Sequence, residues 1–323
     1  MFRKLLSGLF IFGLLFGACT SAVPRSPESN PGVSPVSSAT STSVFVLTDG
    51  FGREVRLTKA AQRVVSLAPS LTEILFAVGA GGQVVGRDDF SDYPANARLV
   101  PSIGSTYQTL NTEAILALKP DLIVATGINT PEQIKALEDV GLTVYYFSNP
   151  TDFPAMYGDL LTMGKLTGHE QEAAALVVSL QKRVEVVEQK VANLTEKPSV
   201  FYEIDAMQDP AKPWTTGPGT FMDTMIGMAG GVNIGAVLEE PWAQISLEEL
   251  IRQDPQIIIL GDAKWGATPE SVAQRPGWDG LTAVKTGAIF TFDDDLASRP
   301  GPRLVDGLET LFDILHVQFT ATQ

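Results

Sequence analysis

The sequence predicts an α/β protein of two lobes with mostly parallel sheets, joined by a single long backbone helix. Three observations predict it. Short apolar runs alternate with helix-period segments in both halves of the chain. Between the halves, Ala173, Leu176, Val177, Leu180, Val184, Val187, Val191 and Leu194 recur every three or four residues, one apolar stripe on a helix over 170–194. Two stretches, LNTEAILALKPDLIVA and ISLEELIRQDPQIIIL, align without a gap, so that Glu113 falls on Glu248, Pro120 on Pro255 and Ile123 on Ile258. A repeat on either side of a rod predicts related lobes. The plainer alternatives are an ordinary long helix inside one domain and a chance likeness between two helix–Pro–strand units.

The rod is taken first. Lys, Gln and Glu fill its other faces, nothing inside it breaks a helix, and Pro198 lies just beyond. At 1.5 Å per residue it spans roughly 37 Å, enough to cross a small domain. It lies in a linker over 154–197, between a first lobe over 44–153 and a second over 198–323.

In the first lobe, Asp49-Gly50 between two apolar runs marks a hairpin. Residues 63–67 then read as a buried strand. Pro69-Ser70 opens a helix, and Ser70 with Glu73 three residues later has the spacing of a capping box. GAGGQ (79–83) follows this helix rather than a strand. It is read as a helix end leading to a strand at Val84-Val85, not as a dinucleotide loop. After a long polar loop come a helix over 112–118, a strand over 122–125, a helix over 131–140 and a strand over 143–147. Such alternation places ligand loops at the strands' C-terminal ends. The second lobe restarts it, with strands over 199–203, 257–260 and 289–292 and helices over 220–229, 247–253 and 303–317.

Before the lobes, Arg3 and Lys4 precede an almost wholly apolar stretch to Phe16, too short to span a bilayer, which needs about 20 apolar residues. Residues 1–18 are read as a secretory signal peptide. The chain's one cysteine, Cys19, closes the box LFGAC, which resembles the lipid-attachment site of bacterial lipoproteins. The alternative is a plain secreted protein. Of residues 20–43, 15 of 24 are Ser, Thr or Pro, so 19–43 forms a lipidated Cys and a flexible tether. The globular part is then extracytoplasmic, held to the membrane through its N-terminal lipid.

The net charge of −14 argues against nucleic acid as partner. One cysteine excludes a disulfide framework. Two histidines, His169 and His316, are too few for a three-histidine zinc site. The acidic runs at 88–92 and 293–295 lack the spacing of a calcium loop.

Four aromatics stand outside the apolar periodic runs, each beside Pro, Gly, Ser or Thr: Tyr93, Tyr107, Trp214 and Trp242. Two come from each lobe. Rings on loops give flat, rigid contact area with a polar tip, suited to a large, flat, weakly charged ligand between the lobes. The alternative for each is a packed loop aromatic. Arg299 and Arg303 bracket Pro300-Gly301-Pro302, so Arg299 is held for an amide, carboxylate or phosphate of the ligand, or for a salt bridge to 293–295. Glu113 and Glu248 open equivalent helices. They are either acidic pegs for a partner with basic sockets or carboxylates favoured by the helix dipole.

These stretches, with RVVSLAPSLTEILFAVGAGGQVVGRDDFSDYP, EPWAQISLEEL and RPGWDGLTAVKTGAIFTFDDDLASRPGPRLVDGLE, make the chain resemble the substrate-binding lipoproteins of ABC importers for iron–siderophore, haem or cobalamin. The resemblance covers roughly 44–318 and is nearest to the vitamin B12 binders. It implies a class III periplasmic binding protein fold and no enzymatic activity. It implies a monomer that holds cobalamin or a related corrinoid between its lobes and needs no cofactor of its own. It places ligand contacts at Tyr93, Tyr107, Trp214, Trp242 and Arg299, with Tyr107 standing where better-known members carry Trp. It makes Glu113 and Glu248 the pegs that dock arginines of a permease dimer. A ferric siderophore or haem is the alternative ligand. Arg87, Arg299 and Arg303 are candidates to hold an anionic siderophore, and Tyr93 or Tyr107 to ligate haem iron. A reading from another class, an extracellular hydrolase on Ser66 or Ser70, lacks a histidine base and a nucleophile elbow.

Overall fold

The computed structural model describes residues 45–107 and 109–318. The expected signal peptide, the lipidation expected at Cys19 and the expected tether all lie outside the described residues. The chain begins with a hairpin, β1 (Phe45–Thr48) against β2 (Glu54–Leu57). Asp49 closes it by accepting the amides of Phe51 and Arg53 at 3.0 and 2.9 Å.

The first lobe is a four-stranded parallel sheet of β3 (Val64–Ser66), β4 (Val84–Arg87), β5 (Leu122–Ala125) and β6 (Val144–Tyr146), in the order β4-β3-β5-β6. Helices α1 (Pro69–Ala77), α2 (Thr112–Ala117) and α3 (Pro131–Asp139) connect its strands. Two helices follow, α4 (Phe153–Thr167) and α5 (Glu170–Val191). The rod is thus α5, about 33 Å long, and α4 lies beside it. The sequence stripe showed only α5. Helix α4 packs on both α5 and α1, so its apolar residues cover more than one face and form no single stripe.

In the second lobe, β7 (Ser199–Asp205), β8 (Trp214–Thr216), α6 (Phe221–Met228), β9 (Val232–Asn233), β10 (Trp242–Gln244), α7 (Leu247–Gln253) and β11 (Ile257–Leu260) come first. Then come α8 (Pro269–Ala273), α9 (Thr282–Thr286), β12 (Ile289–Thr291), α10 (Asp295–Ser298) and α11 (Leu304–Asp313). The sheet order is β10-β8-β7-β11-β12, with β9 beside β7. Strands β7, β9, β11 and β12 are parallel, while β8 runs antiparallel both to β7 and to the edge strand β10.

The aligned stretches are structural equivalents. Lys119 and Asp254 are the two non-glycine residues with positive φ, 48° and 43°, among those described. Each precedes the matched proline, which bars its predecessor from the right-handed helical region. The Ile123 and Ile258 amides donate to Thr143 and Ala288 at 2.8 and 3.0 Å. The Phe147 and Phe292 amides donate to Ala125 and Leu260 at 2.8 and 3.0 Å.

Side chains alternate across each strand. Val64, Leu122, Val200, Ile257 and Ile259 enter one apolar core that runs through both lobes, where Ala173, Val177, Leu180, Val184 and Val187 of α5 meet them. Val65 and Ile123 face a core of the first lobe alone, and Phe201 and Ile258 one of the second. Arg183 of α5 also bonds Asp306 at 2.6 Å and Glu309 at 2.9 Å on α11. That pair is about a third exposed, so roughly 0–1 kcal/mol is its share. Each buried Val or Leu of α5 contributes about 1.5–3 kcal/mol. Packing, not charge, seats the rod.

One polar contact between lobes is of another kind. Glu73 on α1, its side chain 1% exposed, accepts Arg303 Nε and Nη2 at 2.8 and 2.6 Å and Arg299 Nη1 at 3.1 Å. Both arginines come from the turn between α10 and α11. This overturns the capping box. The N-cap of α1 is Ala68, without a side-chain bond, because Glu73 faces the other lobe.

Glu73→Gln should strip both guanidiniums of a buried counter-charge. A destabilisation of about 3 kcal/mol, read as a lower urea midpoint, is expected; an unmoved midpoint would mean the contact holds nothing. A second expectation concerns Asp159 on α4, whose carboxyl burial pushes up to about 7. A folded value above the unfolded one, about 3.9, adds stability in acid that is lost as pH rises through the folded value. The Tm advantage of Asp159→Asn over the wild type should therefore open between about pH 4 and 7 and stay level above.

Candidate functional site

The two parallel sheets present their C-terminal ends to one cleft, as such sheets do. On the first lobe its wall is the chain leaving β3 at Pro69 and Ser70, β4 at Phe90, β5 at Thr126 and β6 at Asn149, with Tyr107 beyond. On the second it is the chain leaving β11 at Lys264 and Trp265 and β12 at Asp294, Asp295 and Arg299. The space enclosed is about 400 Å³, within the ordinary range for small-molecule sites.

Rings dominate what is accessible. Tyr107 is 63% exposed and Trp265 72%. Phe90 meets Tyr107 edge to face, with centroids 5.3 Å apart at 82°. The loop bearing Phe90 is fixed from below by a buried chain of polar groups. Thr72 of α1 bonds Ser66 at 2.9 Å and Ser91 at 2.7 Å, and Ser91 donates to Asp88. Opposite, Thr126 Oγ1 donates to Asn149 at 3.0 Å.

The cleft's two cations are both neutralised. Lys264 lies 2.9 Å from Asp295. Arg299, 11% exposed, bonds Asp92 at 2.8 Å, Asp295 at 3.1 Å and Glu73. Burial opposes its charge, but these carboxylates outweigh burial and hold the guanidinium above its usual value. Burial likewise works to raise Asp92, and Arg299 more than reverses it. The salt bridge to 293–295 weighed for Arg299 therefore exists, through Asp295, while Arg299 still lines the cleft.

The structure brings Tyr107 and Arg299 together and separates the other three aromatics. Tyr93 sits under Arg303, with the guanidinium 4.1 Å from its ring centroid, a cation–π distance. It lines a neighbouring hollow of about 330 Å³ with Phe76, Leu176 and Leu180. Glu73 lines that hollow, and its partner Arg299 lines the cleft, so the two spaces flank one ion-pair network. Trp214 and Trp242 are not on loops but in β8 and β10. Each strand is three residues long and starts directly after a proline, too short a pattern to show. Their register, Trp242 opposite Thr216 and Gln244 opposite Trp214, puts both indoles on one face of the ribbon as diagonal neighbours. Both are about half exposed, and neither lines the cleft cavity.

Sequence reasoning missed Phe90 and Trp265. Trp265 had a signal: an aromatic directly before Gly266, just after an apolar strand. Of the other arginines considered, Arg87 is committed to the carbonyls of Ala97 and Asp88 at 3.0 and 2.7 Å, and Arg303 to Glu73. The histidines serve elsewhere. His169 is the N-cap of α5, and His316 bonds the Ala229 carbonyl at 2.8 Å. Neither is bonded to Ser66 or Ser70. No cluster of three or more potential metal ligands occurs among the described residues.

Glu113 and Glu248 occupy the second positions of α2 and α7. The N-caps are Asn111, accepting the Ala114 amide at 3.0 Å, and Ser246, accepting that of Glu249 at 3.2 Å. The two glutamates are exposed, without an ion pair among the described residues. Each helix runs down to the start of its strand, which sets its first turn at the cleft edge of the lobe. The dipole accounts for about 0.3–1 kcal/mol at each.

Residues 64–296 match the family described as periplasmic binding protein. The chain is 32% identical over 282 residues, 85% of its length and 87% of the relative's, to an uncharacterized ABC transporter substrate-binding lipoprotein of Bacillus subtilis (strain 168). It is 30% identical over 281 residues, 83% of its length and 73% of the relative's, to a cobalamin-binding protein of Halobacterium salinarum (strain ATCC 29341 / DSM 671 / R1). A solved structure, of a possible iron-binding (periplasmic solute-binding) protein from Staphylococcus epidermidis ATCC 12228, superposes with a TM-score of 0.70 at 30% identity. The match covers 80% of this chain and all of that one. Among the described residues no helix is long and apolar enough to cross a membrane. The chain belongs to the periplasmic binding protein family, whose members are extracytoplasmic substrate-binding components of ABC importers rather than enzymes.

Proposed function

We propose that the protein binds cobalamin or a related corrinoid between its lobes and hands it to the permease dimer of an ABC importer, working as a monomer held to the membrane by a lipid on Cys19. The observation that carries the reading is the character of the cleft. Tyr107, Phe90 and Trp265 offer ring area, while Lys264 and Arg299 already have carboxylate partners. A broad, flat ligand of low net charge suits such walls. A polyanionic siderophore would have to displace those carboxylates. The cobalamin-binding relative supports the same reading.

A corrinoid with its side chains is larger than the cavity of about 400 Å³. In this reading the ligand stands partly out of the cleft, and small lobe movements bring the Trp214–Trp242 ribbon and Tyr93 to its rim. Arg299 then hydrogen-bonds a peripheral amide, sharing its donors with Asp92 and Asp295. Glu113 and Glu248, one on each side of the opening, dock basic sockets of the permease.

Calorimetric titration with cyanocobalamin, a ferric hydroxamate siderophore and haem tests the ligand. Tight binding of cyanocobalamin alone is expected; binding of haem or the siderophore without cyanocobalamin would replace the assignment. Trp242→Ala should weaken corrinoid binding more than tenfold, about 1.4 kcal/mol, and unaltered affinity would remove Trp242 from the site. Glu113→Arg combined with Glu248→Arg should spare binding and abolish uptake into cells. Normal uptake by that double variant would leave both as dipole partners only.

A further inference from the structure

The likeness of the two lobes extends to a pair of residues that the core does not explain. Leu116 falls on Ile251 just as Glu113 falls on Glu248. Both are large aliphatic side chains held in water, 40% and 47% exposed. Each lies three residues after its glutamate, on α2 and on α7. Positions three apart on a helix are neighbours on one face, and a helical side chain leans back over the turn before its own Cα. Each lobe therefore carries an exposed carboxylate with an aliphatic side chain beside it.

Neither aliphatic is needed by its own lobe. The preceding residues, Ile115 and Leu250, face inward and are fully buried. Helix propensity does not favour Ile251 either, since a β-branched residue is a poorer helix former than Leu, Lys or Glu. A single exposed aliphatic is ordinary on a protein surface, and Val178 on α5, 65% exposed, is one. Leu116 and Ile251 differ from it in recurring at the same place on both lobes, each beside an acid.

That acid is also without an answer. Glu113 and Glu248 have no ion pair among the described residues. The other acid in the first turn of α7, Glu249, accepts Arg252 Nε at 2.7 Å. Glu249 and Arg252 fall on Ala114 and Ala117 in α2, so that pair is self-contained and peculiar to the second lobe. The glutamate with its aliphatic neighbour is what the two helices share. A basic side chain fits such a pair well, its charged head on the carboxylate and its hydrocarbon stem on the aliphatic group. Acidic lipid headgroups would meet like charge at both places.

We propose that Leu116 and Ile251 form the apolar half of the surface that docks the permease. This rests on the docking reading of Glu113 and Glu248. It adds that the permease presents the same mixed socket twice, a cation with apolar surface beside it. The two halves of each socket act differently. Exposed charges steer the encounter and are screened by salt, whereas covered aliphatic area prolongs the complex and is not screened.

The test titrates right-side-out membrane vesicles, from host cells lacking this protein, with the fluorescently labelled full chain carrying Cys19→Ala, so that no lipid anchors it. Saturable binding, competed by the unlabelled chain, is expected. Leu116→Gln combined with Ile251→Gln should weaken it at least tenfold, chiefly through faster dissociation, and leave its salt dependence and the urea midpoint of the chain unaltered. The two single variants should each lose a similar part. Val178→Gln should bind as the parent chain does. Undiminished binding by the double glutamine variant, an equal loss in Val178→Gln, or a loss confined to one lobe's variant would overturn the inference. Glu113→Arg combined with Glu248→Arg keeps the two readings apart. Normal binding by that variant, or no saturable binding by the parent chain, removes the docking reading and this inference with it. Lost binding there beside normal binding by the double glutamine variant removes this inference alone.

Discussion

The geometry of the cleft depends on one buried carboxylate. Glu73 projects from the first lobe into the turn between α10 and α11 of the second, and two guanidiniums close on it. The same two arginines then reach outward, Arg299 to Asp92 and Asp295, Arg303 to the ring of Tyr93. Three segments distant in the chain are locked together by groups that share protons and charge. In a dry setting such a network is strong when every member is satisfied and costly when one is missing. The side chain that lines the cleft as Arg299 is thus oriented by a residue that never touches the cleft.

The lobes are also joined by what they bury in common. Because one face of each sheet enters the same apolar core as α5, separating them widely would expose that core. The likeness of the lobes extends to backbone strain. A left-handed residue before proline costs roughly 1–2 kcal/mol, yet Lys119 and Asp254 both adopt it. Matching hydrogen bonds flank each. The connection from α2 to β5 and that from α7 to β11 solve the same steric problem in the same way.

Much of this was legible in the sequence. The rod announced itself because one apolar stripe runs uninterrupted for twenty-odd residues. Strands β5 and β11 did so because a buried strand must be apolar on both faces. What stayed hidden was set by contacts between distant residues. Ser70 and Glu73 have cap spacing, but the partner that claims Glu73 lies more than two hundred residues away. Helix α4 has start signals, with Asp152 bonding the Ala155 amide at 2.7 Å and Pro154 in the first turn, but two-sided burial erased its period. Of the four chosen aromatics the cleft cavity holds only Tyr107, and Trp265 fills the opposite wall. Which rings face each other is decided by strand register and lobe packing, and neither is written locally.

The acidic side chains at the two helix starts have a consequence beyond charge. One stands on each lobe, with α5 and the common core joining the lobes, so their spacing behaves like the jaws of a stiff caliper that opens and closes only slightly. A surface fitted to both measures a span that the fold holds within narrow limits. Mere reach across the two points would then not tell such a surface whether its visitor arrives full or empty.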